Sequence, residues 1–299
     1  MLRLLGKTAD EDGSFKLPGA FSVGDRLIYA IGDIHGRYDL LKDLLQQIVR
    51  DRQATAPRRR PVLVFCGDYV DRGPQSAEVV EALVWLGDNV DAEIRALKGN
   101  HEQALLDFLD APTEGGPWLG CGGAETLRSY GVEPPQSGAD GAGLVRAGRE
   151  LLARMPASHV RVLENLEMSY EAGDCLFVHA GIRPGVGLVD QQEADLLWIR
   201  EEFLDWEGLG DRLVVHGHSW YSAQPQLLDH RLGIDTGAYQ TGVLTAARLC
   251  GARVSFLRAE GAPGPDEVEQ PPAPVRKSRP VRKPAPKRSS TPVRRSRLN

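Results

Sequence analysis

The chain of 299 residues contains no apolar run near the ~20 residues that a membrane-spanning helix needs. Its first residues, Met1-Leu2-Arg3-Leu4-Leu5, lack the longer apolar core of a signal peptide, and Asp10, Glu11 and Asp12 soon follow. A cytoplasmic protein is expected. Cysteine is scarce. Cys66, Cys121, Cys175 and Cys250 are scattered and form no C-x-x-C pair, which points to buried thiols rather than disulfides or zinc ligands. No repeat of 20–50 residues is visible, so solenoid and propeller architectures are excluded. Acidic residues are absent from 275–299, where ten Lys or Arg fall. The remainder carries 26 basic and 41 acidic residues, a balance of −15 hidden inside a net charge of −5. From Gly261 onward large apolar residues almost vanish, and residues 261–299 are expected to be a disordered, basic, Pro-rich tail.

What remains is ordinary for a globular domain, with 41% hydrophobic and 26% charged residues. Residues 1–25 read as a loose arm that can pack on the body, and 26–260 as the folded domain. Leu27–Ile31, Val62–Cys66 and Ala92–Leu97 are short apolar runs with strand character. Helical spacing follows each, over Tyr38–Arg50, Ser76–Leu86 and Glu102–Leu109. A β-loop-α order three times over predicts parallel strands with helical crossovers. Residues 111–145, rich in Gly and Pro, read as a lid-like insertion with a helical stretch at Ala124–Tyr130 anchored by Trp118 and Tyr130. Val145–Leu166 reads as helix interrupted at Pro156. Beyond it, Glu167–Tyr170 and Asp174–His179 suggest a hairpin, Arg212–His216 a buried strand, and Arg231–Asp235, Gly242–Leu249 and Arg253–Leu257 consecutive antiparallel strands. Two sheets packed face to face, with helices outside, are expected.

The chemistry sits at the strand ends. Asp33 and His35 follow the first strand in Gly32-Asp33-Ile34-His35-Gly36. Asp68 follows the second in Gly67-Asp68-Tyr69-Val70-Asp71-Arg72-Gly73, and Asn100 and His101 the third in Gly99-Asn100-His101-Glu102. His179 and His218 end two later apolar runs. A carboxylate such as Asp68 has two oxygens and can bridge two cations. Carboxylate, amide oxygen and imidazole together suit Mn, Fe or Zn better than Ca. Two such ions polarise a phosphoryl group and generate hydroxide at neutral pH.

These three blocks, with His179-Ala180-Gly181 and Gly217-His218-Ser219, resemble in order the signature motifs of the phosphoprotein-phosphatase type of metallophosphoesterase, over residues of about 30 to 240. The resemblance implies a four-layer α/β/β/α sandwich with two mixed sheets and a dinuclear centre of divalent ions, with Mn2+ expected and Fe or Zn as alternatives. It places Asp33, His35 and Asp68 on metal 1, and Asp68, Asn100, His179 and His218 on metal 2. His101 becomes the general acid, Asp71 its orienting carboxylate, and Arg72 and Arg200 the phosphate-binding guanidiniums. A metal-bridging hydroxide would attack phosphorus in line. Many superfamily members end the last block in Gly-His-x-His; here Ser219 and Trp220 follow His218, as in the protein-phosphatase branch. His216 competes with His218 as the last ligand, and the motif favours His218.

The resemblance implies a phosphorylated protein or small phosphoester as substrate. A serine/threonine protein phosphatase is the first reading. A dinucleoside polyphosphate hydrolase, such as one for diadenosine tetraphosphate, is the alternative; that group commonly departs from Asp71. A third, non-enzymatic reading is a nucleic-acid-associated scaffold led by the tail. Residues 275–299 offer contact with a polyanion or nucleic acid by counterion release, can fold back on the acidic body, or are a solvated extension. No aromatics are interleaved there, so base stacking has no support. His159 and His230 read as surface or packed side chains. Tyr239 and Trp220 can each line a cleft or pack in the core.

Overall fold

The structure, a computed structural model, describes residues 3–4 and 7–264 apart from 137, 139 and 209. Its strands are β1 (Arg3–Leu4), β2 (Lys7–Thr8), β3 (Phe15–Lys16), β4 (Leu27–Ile31), β5 (Val62–Phe65), β6 (Glu93–Ala96), β7 (Ser169–Ala172), β8 (Cys175–Val178), β9 (Leu213–His216), β10 (Gln226–Leu227), β11 (Arg231–Gly233), β12 (Val243–Cys250) and β13 (Arg253–Glu260). The helices are α1 (Tyr38–Thr55), α2 (Ser76–Asn89), α3 (Asn100–Asp110), α4 (Gly116–Trp118), α5 (Ala124–Ser129), α6 (Gly141–Arg154), α7 (Ala157–Glu164), α8 (Glu193–Trp198), α9 (Glu201–Leu204) and α10 (Ala238–Thr241).

Two mixed sheets organise these elements. One has the order β3-β13-β12-β4-β5-β6, and the other β10-β11-β9-β8-β7. β4, β5 and β6 are parallel, joined by the crossovers α1 and α2. Residue alternation decides which face each side chain serves. Leu27, Tyr29 and Ile31 of β4 pack with Leu40, Leu41, Leu44 and Ile48 of α1. Ile28 and Ala30, on the other face, pack with Phe177, Leu213, Val215 and Ile234 of the second sheet. Leu176, Val178 and Val214 face outward onto Leu196, Ile199 and Phe203. The packing order is therefore helix, sheet, sheet, helix. Burial of each large side chain between the sheets stabilises the fold by roughly 1.5–3 kcal/mol.

The segment around Phe15 packs on the body: β3 pairs with β13, and Phe15, Leu17 and Val23 are buried. Two features differ from the sequence-based expectation. β11 is not an antiparallel neighbour of β12. It lies parallel to β9 in the other sheet, because Gly237, with φ 65°, and α10 turn the chain across before β12 begins. Short segments also escaped notice, among them α8, α9 and β10, none long enough to show a period. The β7–β8 hairpin and the tight turn at Gly251 (φ 55°) form as expected, and Pro156 separates α6 from α7.

None of the four cysteines is in a disulfide, and Cys66, Cys121 and Cys175 are buried. Among the described residues no helix is long and apolar enough to cross a membrane. After β13, Gly261 and Gly264 bond back to Gly242 and Gln240. Residues 265–299, and with them the basic run, lie outside the described residues.

Candidate metal centre and active site

Every chemistry-bearing residue of the sequence motifs sits just past the C-terminal end of a strand. Asp33 and His35 follow β4, Asp68 follows β5, and Asn100 and His101 open α3 after β6. His179 follows β8, His218 follows β9, and Asp235 follows β11. Parallel strands bring these ends to one edge, where ligands bind in open α/β sheets.

The backbone there is strained. The non-glycine residues with positive φ among the described ones are His35 (46°), Asp68 (51°), Asp71 (73°), Arg72 (68°) and His218 (63°). Such conformations persist only where surroundings over-determine them. Glu102 supplies much of that constraint. Its buried carboxylate accepts backbone N–H bonds from Asp68 (2.9 Å), Tyr69 (2.7 Å), Val70 (3.2 Å) and Gly99 (2.9 Å). The Asp68 carbonyl in turn accepts from Ile34 (3.0 Å) and His35 (2.8 Å), which locks the first motif onto the second. At Gly217 a Cβ would run into the Asp33 carboxylate, so only glycine lets the last motif close on the first.

Two buried groups have the donor atoms to hold a cation: His35, Asp68 and His101, and Asp68, His179 and His218. Asp68 belongs to both. Its Oδ2 lies 3.4 Å from His35 Nε2, and its Oδ1 3.4 Å from His179 Nε2. His35 Nδ1 donates to the Val70 carbonyl (2.9 Å) and His179 Nδ1 to the Cys66 carbonyl (2.7 Å). A carbonyl only accepts, so each Nε2 is left as a lone pair turned inward. Burial pushes the His179 ring down to about 4, so it is neutral at ordinary pH. Its Nε2 nevertheless lies 2.8 Å from Asn100 Oδ1, and His218 Nδ1 lies 2.9 Å from the same oxygen. The His179 lone pair and that amide oxygen are facing acceptors, which repel at such a distance unless a cation stands between them.

The carboxylates give the same result. Burial first, then Asp235 and Asp68, hold Asp33 well above the usual carboxylate range. Burial raises Asp68 to about 8 against the pull of Arg72. Asp33 Oδ1 and His218 Nε2 are buried without a protein partner. The residues present therefore fit divalent cations.

Beside this cluster His101 Nδ1 meets Asp71 Oδ2 at 2.6 Å, while His101 Nε2 has no hydrogen-bond partner and lies 3.9 Å from Asp68 Oδ2. Burial raises the Asp71 carboxyl to about 7, opposed by hydrogen bonds from Thr126 and Trp118. Arg72 reaches His35 Nε2 at 3.1 Å, and its guanidinium lies 4.5 Å from the Tyr239 ring centroid. Arg200 comes from the loop between α8 and α9 and reaches the His218 carbonyl at 3.4 Å. All ten sequence-derived candidates are thus gathered at one edge.

His216 is turned elsewhere: its Nδ1 meets the Gly217 carbonyl (2.9 Å) and its ring packs on Phe203. His159 is packed between Tyr130 and Glu81, and His230 against Trp206. Tyr239 does face the site, its ring edge-on to His35 at 5.2 Å. Sequence reasoning passed over Asp235, although Ile234-Asp235 repeats the pattern of an apolar strand end running into a carboxylate. Trp118 and Thr126 carried no such signal, because a Gly-rich stretch has no periodicity.

Comparison with known proteins agrees with the geometry. The family model for calcineurin-like phosphoesterases matches residues 26–236. A Salmonella typhimurium serine/threonine-protein phosphatase 1 is 29% identical over 75% of this chain and 92% of its own length. A Janthinobacterium symmetrical bis(5'-nucleosyl)-tetraphosphatase is 30% identical over 78% of this chain and 70% of its own. A crystal structure of a putative diadenosine tetraphosphatase superposes with a TM-score of 0.54 at 22% identity, covering 80% of this chain and 96% of that one. With its two mixed sheets and its strand-end cluster of Asp, Asn and His, the chain belongs to the calcineurin-like phosphoesterase family, a metallophosphoesterase.

Proposed function

We propose that the chain hydrolyses phosphomonoesters, with phosphoserine and phosphothreonine in proteins as the substrate class. The observation that carries this is the Asp71–His101 contact of 2.6 Å beside Arg72. It supplies a proton donor for a leaving alkoxide, which a phosphomonoester of serine or threonine requires. The relative named serine/threonine-protein phosphatase 1 supports the same choice.

Asp33, His35 and Asp68 would hold one divalent ion, and Asp68, Asn100, His179 and His218 the other, with manganese as the working assignment. When bound, such ions supply positive charge to the phosphoryl oxygens and lower the pKa of water. The remaining steps belong to the chain. Arg72 and Arg200 grip the phosphate oxygens, and a guanidinium fork matches their geometry. Tyr239, stacked under Arg72, restricts that guanidinium to one face. A water oxygen bonds to phosphorus as the P–O bond to the leaving group breaks. One proton of the water is released to solvent as its oxygen bonds, and His101 Nε2 passes one to the departing oxygen and is reprotonated from solvent; the Asp71 carboxylate stabilises the doubly protonated ring, which burial by itself disfavours.

A second reading, hydrolysis of dinucleoside tetraphosphates, draws on relatives of that name in Bacillus velezensis and Janthinobacterium. An exposed Tyr221, next to Trp220 at the His218 loop, offers a surface for a nucleobase. A panel of p-nitrophenyl phosphate, phosphoserine peptides and diadenosine tetraphosphate, assayed with Mn2+, separates the two. Higher kcat/KM on phosphopeptides is expected. Preferred turnover of the dinucleotide overturns the first reading in favour of the second.

A further inference from the structure

We propose that Trp118 and Thr126, from the segment between α3 and α6, are positioning residues for proton donation: they fix the Asp71 carboxylate and through it the His101 ring. This rests on the phosphomonoesterase reading above. The Trp118 indole N–H donates to Asp71 Oδ2 at 2.9 Å, the same oxygen that meets His101 Nδ1. The Thr126 hydroxyl donates to Asp71 Oδ1 at 2.6 Å and accepts the Asp71 backbone N–H at 2.9 Å. One hydroxyl therefore grips both the side chain and the main chain of a residue held at φ 73°. Ser76 Oγ, 3.1 Å from both the Asp71 nitrogen and Thr126 Oγ1, closes the network.

The segment is seated for this purpose. The Gly122 carbonyl accepts the Arg72 N–H at 3.2 Å, and Gly122, at φ 108°, leaves only 2.5 Å between a built Cβ and that nitrogen. Trp118 stacks on Phe108 with centroids 4.6 Å apart, and Gly123 presses its Cα face against the indole. Asp71 and Thr126 are fully buried and Trp118 is 4% exposed. No water shell can replace a lost donor in such a place, so a vacated carboxylate oxygen is free to turn toward another partner. The His101 Nε2–H direction then loses its reference. Residues 116–126 thus form a wall beside Asp71 and His101.

Proton donation matters most for leaving groups that depart as strong bases. The alkoxide of phosphoserine needs the His101 proton as its P–O bond breaks, whereas p-nitrophenolate departs with little help. The test compares kcat on a phosphoserine peptide and on p-nitrophenyl phosphate for the full chain with Mn2+, in wild type, Trp118→Phe, Thr126→Val and Thr126→Ser. Trp118→Phe keeps an aromatic ring without the N–H, and Thr126→Val keeps the shape without the hydroxyl. Each is expected to lose about thirtyfold on the peptide and about threefold on p-nitrophenyl phosphate, with Thr126→Ser recovering most of the loss. The ratio of the two rates is independent of the folded fraction, so poor folding does not mimic the effect. Equal losses on both substrates, or none, overturn the inference and leave the phosphomonoesterase reading standing. A wild type that hydrolyses neither substrate overturns both.

Discussion

Glu102 holds four backbone N–H groups from two separate loops and touches no other motif side chain in the hydrogen-bond network. Its neighbour motifs depend on it all the same, since Asp68 and Asp71 sit in left-handed conformations on the loop it braces. Glu102→Gln turns an amide NH2 toward some of those donors. The expected result is a loss of about 1–3 kcal/mol in denaturant unfolding and roughly tenfold or more in activity. In the proposed assignment metal 1 has few protein ligands, so Asp33→Asn or His35→Asn is expected to abolish turnover with loss of one bound ion. Full occupancy of both sites in either variant, measured by equilibrium dialysis, contradicts the assignment. Asp68→Asn, with its shared carboxylate, is expected to weaken both sites.

At the scale of elements, legibility in the sequence followed the physics of burial. β4 and β5 are buried along their whole length, so each reads as an apolar run with a sharp polar stop, and each stop carries an Asp of the candidate centre. The candidate residues were legible for that reason. β11 lies in the other sheet from the one expected because three residues carry no record of their partner strand; the left-handed Gly237 and Gly242 at the two ends of α10 mark the crossing. Asp235 was legible in the same pattern and went unread. Trp118 and Thr126 were not legible, because their role arises where a coiled segment folds back on Asp71. Between the sheets, Phe177 is fully buried against Tyr170, with centroids 5.8 Å apart. Phe177→Ala is expected to cost about 3–5 kcal/mol in thermal or denaturant unfolding. A loss under 1 kcal/mol would mean that the space between the sheets is not packed as described.

At the scale of the whole molecule, an acidic body carries a basic extension of opposite sign. Gly261 and Gly264 bond back to Gly242 and Gln240, beside α10 and Tyr239. Removal of residues 265–299 is expected to leave turnover of p-nitrophenyl phosphate unchanged and to abolish salt-sensitive retention on a polyanionic resin. The central claim is that two cations shared through Asp68 support hydrolysis of a phosphomonoester. The most direct measurement is equilibrium dialysis of the full chain against Mn2+, with phosphomonoester hydrolysis followed in the same samples before and after chelation. Two ions per chain, activity lost on their removal and restored on their return, is the predicted result. Undiminished hydrolysis by the metal-free chain contradicts it.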